Sequence, residues 1–246
     1  MTAISTKNLN ISYGNLDIVK DLNLEIPKGK ITTIIGANGC GKSTILKTIA
    51  RIITPKSGDI FINKTNIKEQ SSKDLAKTMA VLPQSPQAPK GLTVEELISY
   101  GRFPHQKGFG KMKNEDEDIV TWALEVTGIK EFRDRPIEAL SGGQRQRAWI
   151  AMALAQQTEI LVLDEPTTYL DLAHQLEVLN LLEELNNAAR FAHHMIGIKK
   201  GKIACEGTAH EVMTKENLRE LFNIDAEIVE DPRSKKPVCI TYDMVG

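Results

Sequence analysis

The stretch KITTIIGANGCGKSTILKTIARII, Lys30–Ile53, decides how the chain is read. A β-branched run meets a glycine-rich turn and then a helical pattern. Inside it, GANGCGKST (Gly36–Thr44) fits G-x-x-x-x-G-K-[ST] between an apolar strand and a helix, the context this spacing requires. Gly36, Gly39 and Gly41 let backbone N–H groups turn toward an anion without side-chain obstruction. A helix beginning near Lys42 aims its positive end at the same point. Lys42 would reach the outer phosphates of a nucleotide, and the Ser43 hydroxyl would ligate Mg²⁺. Ala37, Asn38, Cys40 and Thr44 complete the loop. A plain glycine-rich turn is the bland alternative. Lys-Ser in register and the right flanks argue against it.

Working outward, ISTKNLNISY, LDIVKDLNLEI and SGDIFINKTNI alternate apolar and polar residues, as half-buried antiparallel strands do. MAVLPQ (Met79–Gln84) reads as a buried strand. From Ser85 to about Arg135, Pro, Gly and charged residues alternate with short helical pieces, a helical insertion. SGGQRQRAWIAMALAQQ then starts a long helix. EILVLDEP is a near-continuous apolar strand of the fully buried, parallel-sheet type. After Gly201 come hairpins and one helix, KENLRELFNI.

Asp164 and Glu165 close that buried strand, where ligands collect in open α/β sheets. Asp164 would hold Mg²⁺, directly or through water. Glu165 would polarise the water that attacks the outer phosphate. Two carboxylates marking a strand end are the competing reading; the phosphate loop upstream weighs against it.

LSGGQRQR, Leu140–Arg147, sets a Ser and two glycines before another helix, which is anion-binding chemistry a second time. One phosphate needs only one such cradle. With this motif the chain resembles the ATP-binding cassette (ABC) ATPases, whose signature is LSGGQ. The resemblance spans nearly the whole chain. It implies an α/β fold: a P-loop NTPase sheet core, an antiparallel β subdomain and a helical subdomain carrying the signature. In that family two cassettes pair head to tail, so Ser141, Gly142, Gly143 and Gln144 would touch the ATP held by a second copy. Tyr13 matches the aromatic that stacks on adenine, though an ordinary strand tyrosine fits too. Gln84 matches the glutamine that contacts Mg²⁺ and the attacking water; a strand-end polar residue is its alternative. Asp171 matches the aspartate that communicates across the dimer, and it also suits a helix N-cap.

QSPQAPKGLTVEELISYGRFPH (Gln84–His105) and DEPTTYLDLAHQ (Asp164–Gln175) are similar to importers of iron–siderophore complexes, ferric citrate, haem or cobalamin. That resemblance implies ATP and Mg²⁺ as ligands and polytopic permease subunits as partners. It implies a periplasmic or lipoprotein substrate-binding protein acting indirectly, and a peripheral position on the cytoplasmic face of the cell membrane. His105 has no second ligand nearby, so a surface loop histidine is the simpler reading. His193 and His194 are neighbours on an expected helix and point in different directions.

One stretch departs from the family: EELNNAARFAHHMIGIKKG, Glu183–Gly201. In ABC ATPases a β-strand ending in a γ-phosphate histidine lies between two helices here. LAHQLEVLNLLEELN matches the first helix; NNAARFAHHMIGIKKGKI matches the second and the last strand. Nothing between Asn186 and Asn187 matches the strand. Leu172, Leu176, Leu179, Leu182, Leu185, Ala188, Ala192 and Ile196 keep near-helical spacing across the join. Residues omitted from the sequence, a real deletion, or a fold repacked around a shortened element all remain open. A real deletion would leave the strand's neighbours with unpaired backbone groups. It would make the chain a hydrolysis-impaired, nucleotide-binding cassette. A non-transport ABC ATPase is a further alternative, but tandem cassettes and long coiled-coil insertions are not present.

The resemblance implies a single ABC ATPase domain over 2–240, a helical subdomain at about 85–147 inserted in the P-loop core and a C-terminal region of hairpins and helix at 202–246. The chain has 246 residues, 41% hydrophobic and 26% charged, as in soluble globular proteins. A net charge of -1 offers no basic surface for nucleic acid. Cys40, Cys205 and Cys239 form no metal-ligand spacing and suit a reducing compartment. The longest apolar run, AWIAMALA, is far short of the roughly 20 residues a membrane span needs. The N-terminus lacks the pattern of a signal peptide.

Overall fold

A computed structural model of the chain describes residues 1–106, 113–164 and 175–245, with the side chains of 175–180 excepted. Glu165, Asp171 and His174 lie outside the described residues. The chain falls into two compact units, Met1–Glu69 with Asp171–Gly246, and Gln70–Leu170.

The first unit opens with β1 (Thr2–Tyr13), β2 (Leu16–Leu22) and β3 (Glu25–Pro27). β4 (Thr32–Ile35), α1 (Lys42–Ile49), β5 (Ser57–Ile62) and β6 (Thr65–Asn66) follow. β2, β1, β5 and β6 form an antiparallel sheet, with β3 added to β1. Alternation along β1 puts Leu9 opposite Leu22 and Ile11 opposite Val19, all four buried. Cross-strand apolar pairs of this kind are what stabilise a sheet.

The second unit holds α2 (Ser72–Thr78), β7 (Met79–Leu82), α3 (Val94–Ser99), α4 (Asn114–Val126), α5 (Gly142–Ala155) and β8 (Ile160–Leu163). A 3₁₀ turn at Tyr100–His105 follows α3. Thr93 and Glu96 close a capping box that starts α3. Leu97, Ile98, Val120, Leu124, Ala148 and Ala151 pack the three helices together. Arg102 and Asp116, 5% and 6% exposed, form an ion pair at 2.7 Å inside this unit. Removing one partner strands the other charge. Arg102→Met should therefore cost about 3–5 kcal/mol in urea unfolding, whereas Arg102→Met with Asp116→Leu should be close to neutral.

The chain then returns to the first unit through α6 (Gln175–Phe191), β9 (His194–Lys199), β10 (Lys202–Gly207), α7 (Ala209–Val212), α8 (Lys215–Phe222), β11 (Ile224–Glu230) and β12 (Pro237–Met244). Two helices, α7 and α8, stand where the sequence suggested one. α6 runs unbroken through Asn186–Asn187. Leu185, Ala188, Ala189 and Ala192 keep one buried stripe across the join, against Leu218, Leu221 and Ile224. Asn186 fastens β12 with its side chain: its Nδ2 donates to Cys239 O at 2.9 Å, and its Oδ1 accepts from Cys239 N at 2.8 Å.

The helix ends earlier than its apolar spacing suggests. His193 and His194 are not helical: both backbone amides donate to Ile31 O, at 2.8 and 3.2 Å, and His194 begins β9. Ile31 N donates to His193 Nδ1 at 3.2 Å. Contacts 162 residues apart in sequence thus stop the helix, and local periodicity carries no trace of them.

The parallel pairings come in two pieces. β4 pairs with β9 in register from Thr32↔His194 to Ile35↔Gly197. β7 pairs with β8 from Met79↔Ile160 to Leu82↔Leu163. Among the described residues, β4 has a strand on one side only, and so does β8. Thr32 Oγ1 is buried without a partner. β8 corrects the expectation of full burial, because Leu161 and Leu163 are 41% and 37% exposed. Among the described residues, one face of β8 lacks the cover its apolar sequence is suited to.

Candidate nucleotide site

Gly36–Thr44 forms the turn from β4 into α1 that its spacing predicts. Gly36, Gly39 and Gly41 all take positive φ, at 153°, 76° and 110°. The loop presses against its own unit. A Cβ on Gly36 would lie 2.2 Å from Ile198 O and 2.8 Å from Cys40 Sγ. Gly201 N donates to Cys40 O at 2.9 Å, tying the β9–β10 turn to the loop. Ile18 and Val19 of β2 would stand 3.5 Å from a Cβ on Gly41. Gly39, by contrast, faces open space.

α1 is capped by Gly41 with no side-chain hydrogen bond. In α2, α3, α5, α7 and α8 a Ser or Thr side chain fills that position. The first amides of α1 are therefore left for an anion. Lys42 Nζ donates to Gly36 O at 2.7 Å and Ala37 O at 3.4 Å, so the ammonium sits beneath the loop. A pocket of about 390 Å³ opens beside Ala37–Cys40 and is also lined by Lys199, Lys200, Arg219 and Glu220, the last 3.9 Å from the Lys199 ammonium. These features fit a polyphosphate. Cys40 is buried, at 8% exposure, as a packing residue of the loop. Tyr13 ends β1 and is half exposed, at 52%.

Asp164 follows β8 in the other unit. Its amide donates to Leu82 O at 3.0 Å. Its carboxylate is buried, and Oδ2 has no hydrogen-bond partner. An orphaned, buried carboxylate oxygen suits a hard divalent cation such as Mg²⁺. Gln84 lies exposed two residues beyond β7. No group of three or more His, Cys, Asp or Glu suited to a metal occurs among the described residues.

The signature stretch differs from its sequence reading in one detail. Gly142 and Gly143 are not before the helix but form its first turn. The Ser141 hydroxyl accepts from Gln144 N at 3.3 Å, while Gln144 Oε1 accepts from Ser141 N at 2.9 Å. This capping box holds an exposed helix N-terminus in shape. Just before it, the Glu138 carboxylate accepts from Gly91 N at 2.9 Å. Its own amide, and then that of Gly91, hold the Glu138 carboxyl below the usual carboxylate range.

The sequence pattern of the ABC transporter family matches residues 19–168. The iron(3+)-hydroxamate import ATP-binding protein FhuC of Bacillus subtilis (strain 168) is 61% identical over 260 residues, covering 100% of this chain and 97% of that one. The chain belongs to the ABC transporter family. The siderophore transport system ATP-binding protein YusV of the same organism is 45% identical, covering 98% and 94%. A solved structure of a metal-chelate type ABC transporter, facing inward, superposes with a TM-score of 0.76 at 29% identity, covering 98% of each chain. The cassette is shorter than its relative. The match to FhuC spans 260 positions while this chain supplies 246, leaving 14 without a counterpart.

Sequence reasoning missed Arg102 as anything but part of a family-like GRFPH. Its partners Asp116 and Ala155 lie 14 and 53 residues away, and no local pattern announces them.

Proposed function

We propose that the chain is the ATP-binding subunit of an importer for an iron(III)–siderophore-type complex. The identity with the iron(3+)-hydroxamate import protein along the whole chain carries this reading. ATP would lie on Gly36–Thr44, with Tyr13 against adenine and Lys42 under the outer phosphates. Ser43, Asp164 and Gln84 would hold Mg²⁺, which when bound would neutralise phosphate charge. Glu165 is the general base of this proposal, and Asp171 the residue that reports across the dimer. Ser141, Gly142, Gly143 and Gln144 would contact the ATP of a second, head-to-tail copy. We place the cassette at residues 2–240, with a helical lobe near 85–147 and the hairpins and helix of 202–246 at its end.

The helical lobe would face polytopic permease subunits at the cytoplasmic face of the membrane, with a substrate-binding protein acting through them. Exposed Tyr100, Phe103 and Trp122 in this lobe support a protein-facing surface. No described helix is long and apolar enough to cross a membrane.

A second reading, nucleotide binding with impaired hydrolysis, is favoured by the continuous α6 and the 14-position shortfall. We place the absent strand and its histidine between Asn186 and Asn187. The two readings agree on binding. A fluorescent ATP analogue should bind the purified chain, and chelating Mg²⁺ with EDTA should weaken binding about tenfold or more. Lys42→Ala should weaken it similarly. Unchanged affinity in both experiments would overturn the site. Co-purification with a polytopic membrane protein tests the transport role.

A further inference from the structure

Tyr100–His105 is the part of the helical lobe whose work the nucleotide site leaves unexplained. Its three-residue period turns Tyr100 and Phe103 outward, with ring centroids 4.8 Å apart, and Gly101 and Arg102 inward. The inward side closes on the last turn of α5. A Cβ on Gly101 would lie 2.3 Å from Met152 O, so only glycine allows that approach. Arg102 Nη1 donates to Ala155 O at 2.7 Å and to Gln157 Oε1 at 3.2 Å, and Arg102 Nε donates to Asp116 Oδ1 at 2.7 Å. His105 Nε2 lies 2.8 Å from Gln156 O. A helix leaves its last carbonyls unsatisfied, and cations there also complement its dipole. Gln157, two residues past the end of α5, takes φ 51°, a conformation glycine usually supplies; the Arg102 bond to its side chain holds it.

We propose that Arg102 is a positioning residue for the signature motif. It fixes the C-terminal end of α5 to Asp116 at the start of α4, and so sets where Ser141–Gln144, at the other end of the same helix, are presented. The arginine fork is needed because one side chain serves three acceptors on two segments. A lysine would keep its charge opposite Asp116 but could not reach them together.

This inference rests on the proposed contact of the signature with ATP of a second copy. The test compares the wild-type chain, Arg102→Lys, and Arg102→Met with Asp116→Leu. Urea midpoint, affinity for a fluorescent ATP analogue, and Mg·ATP-dependent dimerisation by sedimentation are measured for each. Both variants are expected to keep the wild-type midpoint and nucleotide affinity. Their ATP-driven dimerisation should weaken at least about tenfold, because ångström-scale misplacement of a contact group is costly. Dimerisation equal to wild type overturns the inference. So does a fall in midpoint, affinity and dimerisation together, which would make Arg102 a purely structural residue. Absence of an ATP-driven dimer in the wild-type chain overturns the trans-contact reading itself, and the positioning role with it.

Discussion

The chain is expected to bind ATP weakly and to release phosphate about two orders of magnitude or more slowly than a version carrying, between Asn186 and Asn187, the segment we propose to be absent there. Two physical effects act together. Two parallel ladders end on an open edge: β4 pairs only with β9 and β8 only with β7 among the described residues. Such an edge forgoes the backbone hydrogen bonds that a further strand would make, which is costly where the groups are buried. The second effect is chemical. The strand would bring a γ-phosphate histidine, and a positioned group of this kind is worth about 10²–10⁴ in rate. The total shortfall of 14 positions is large enough for an average strand of about 5–6 residues with two short connections. Inserting a strand-forming segment that ends in histidine at this join and following phosphate release at saturating Mg·ATP checks the prediction. An alanine in place of the segment's histidine separates the two effects, because it repairs the sheet without the side chain. Turnover by the unaltered chain equal to that of the restored one would show that the strand is dispensable.

What the sequence disclosed depended on the range of the interaction involved. The loop at Gly36–Thr44, the strands β7 and β8 and the helix α5 were legible because each rests on local rules: glycine conformation, an apolar run, a cap. The join was legible as well. Leu185, Ala188 and Ala192 read as one helical stripe, and α6 is one helix. Long-range effects left no mark. Ile31, not a breaker residue, ends that helix by accepting from His193 and His194. The exposure of Leu161 and Leu163 depends on what covers β8, and their own apolar character says the opposite. Glu165 and Asp171, read from motif alone, fall outside the described residues.

Gly36→Ala should abolish measurable nucleotide binding, and Gly39→Ala should not. The two glycines sit three residues apart in the same loop and both take positive φ, yet their surroundings differ. At Gly36 a methyl group would meet Ile198 O at 2.2 Å, a backbone atom of the strand that pairs with both β4 and β10. That oxygen cannot yield without disturbing two ladders. The loop must yield instead, and it carries with it Gly36 O, the acceptor that holds Lys42 at 2.7 Å. Forcing a methyl group into such a packed site typically costs about 1–3 kcal/mol in stability, and the displaced loop no longer converges its amides. At Gly39, with φ 76°, a Cβ meets nothing within 4 Å. Only the left-handed backbone is penalised there, by about 1–2 kcal/mol, while Lys42 and the amides of α1 keep their places. Fluorescent-nucleotide titration and urea unfolding of the two variants discriminate the mechanisms. Equal losses of affinity would mean that glycine conformation alone matters in this loop. A larger loss at Gly36 identifies the contact with Ile198 as what holds the phosphate cradle in shape.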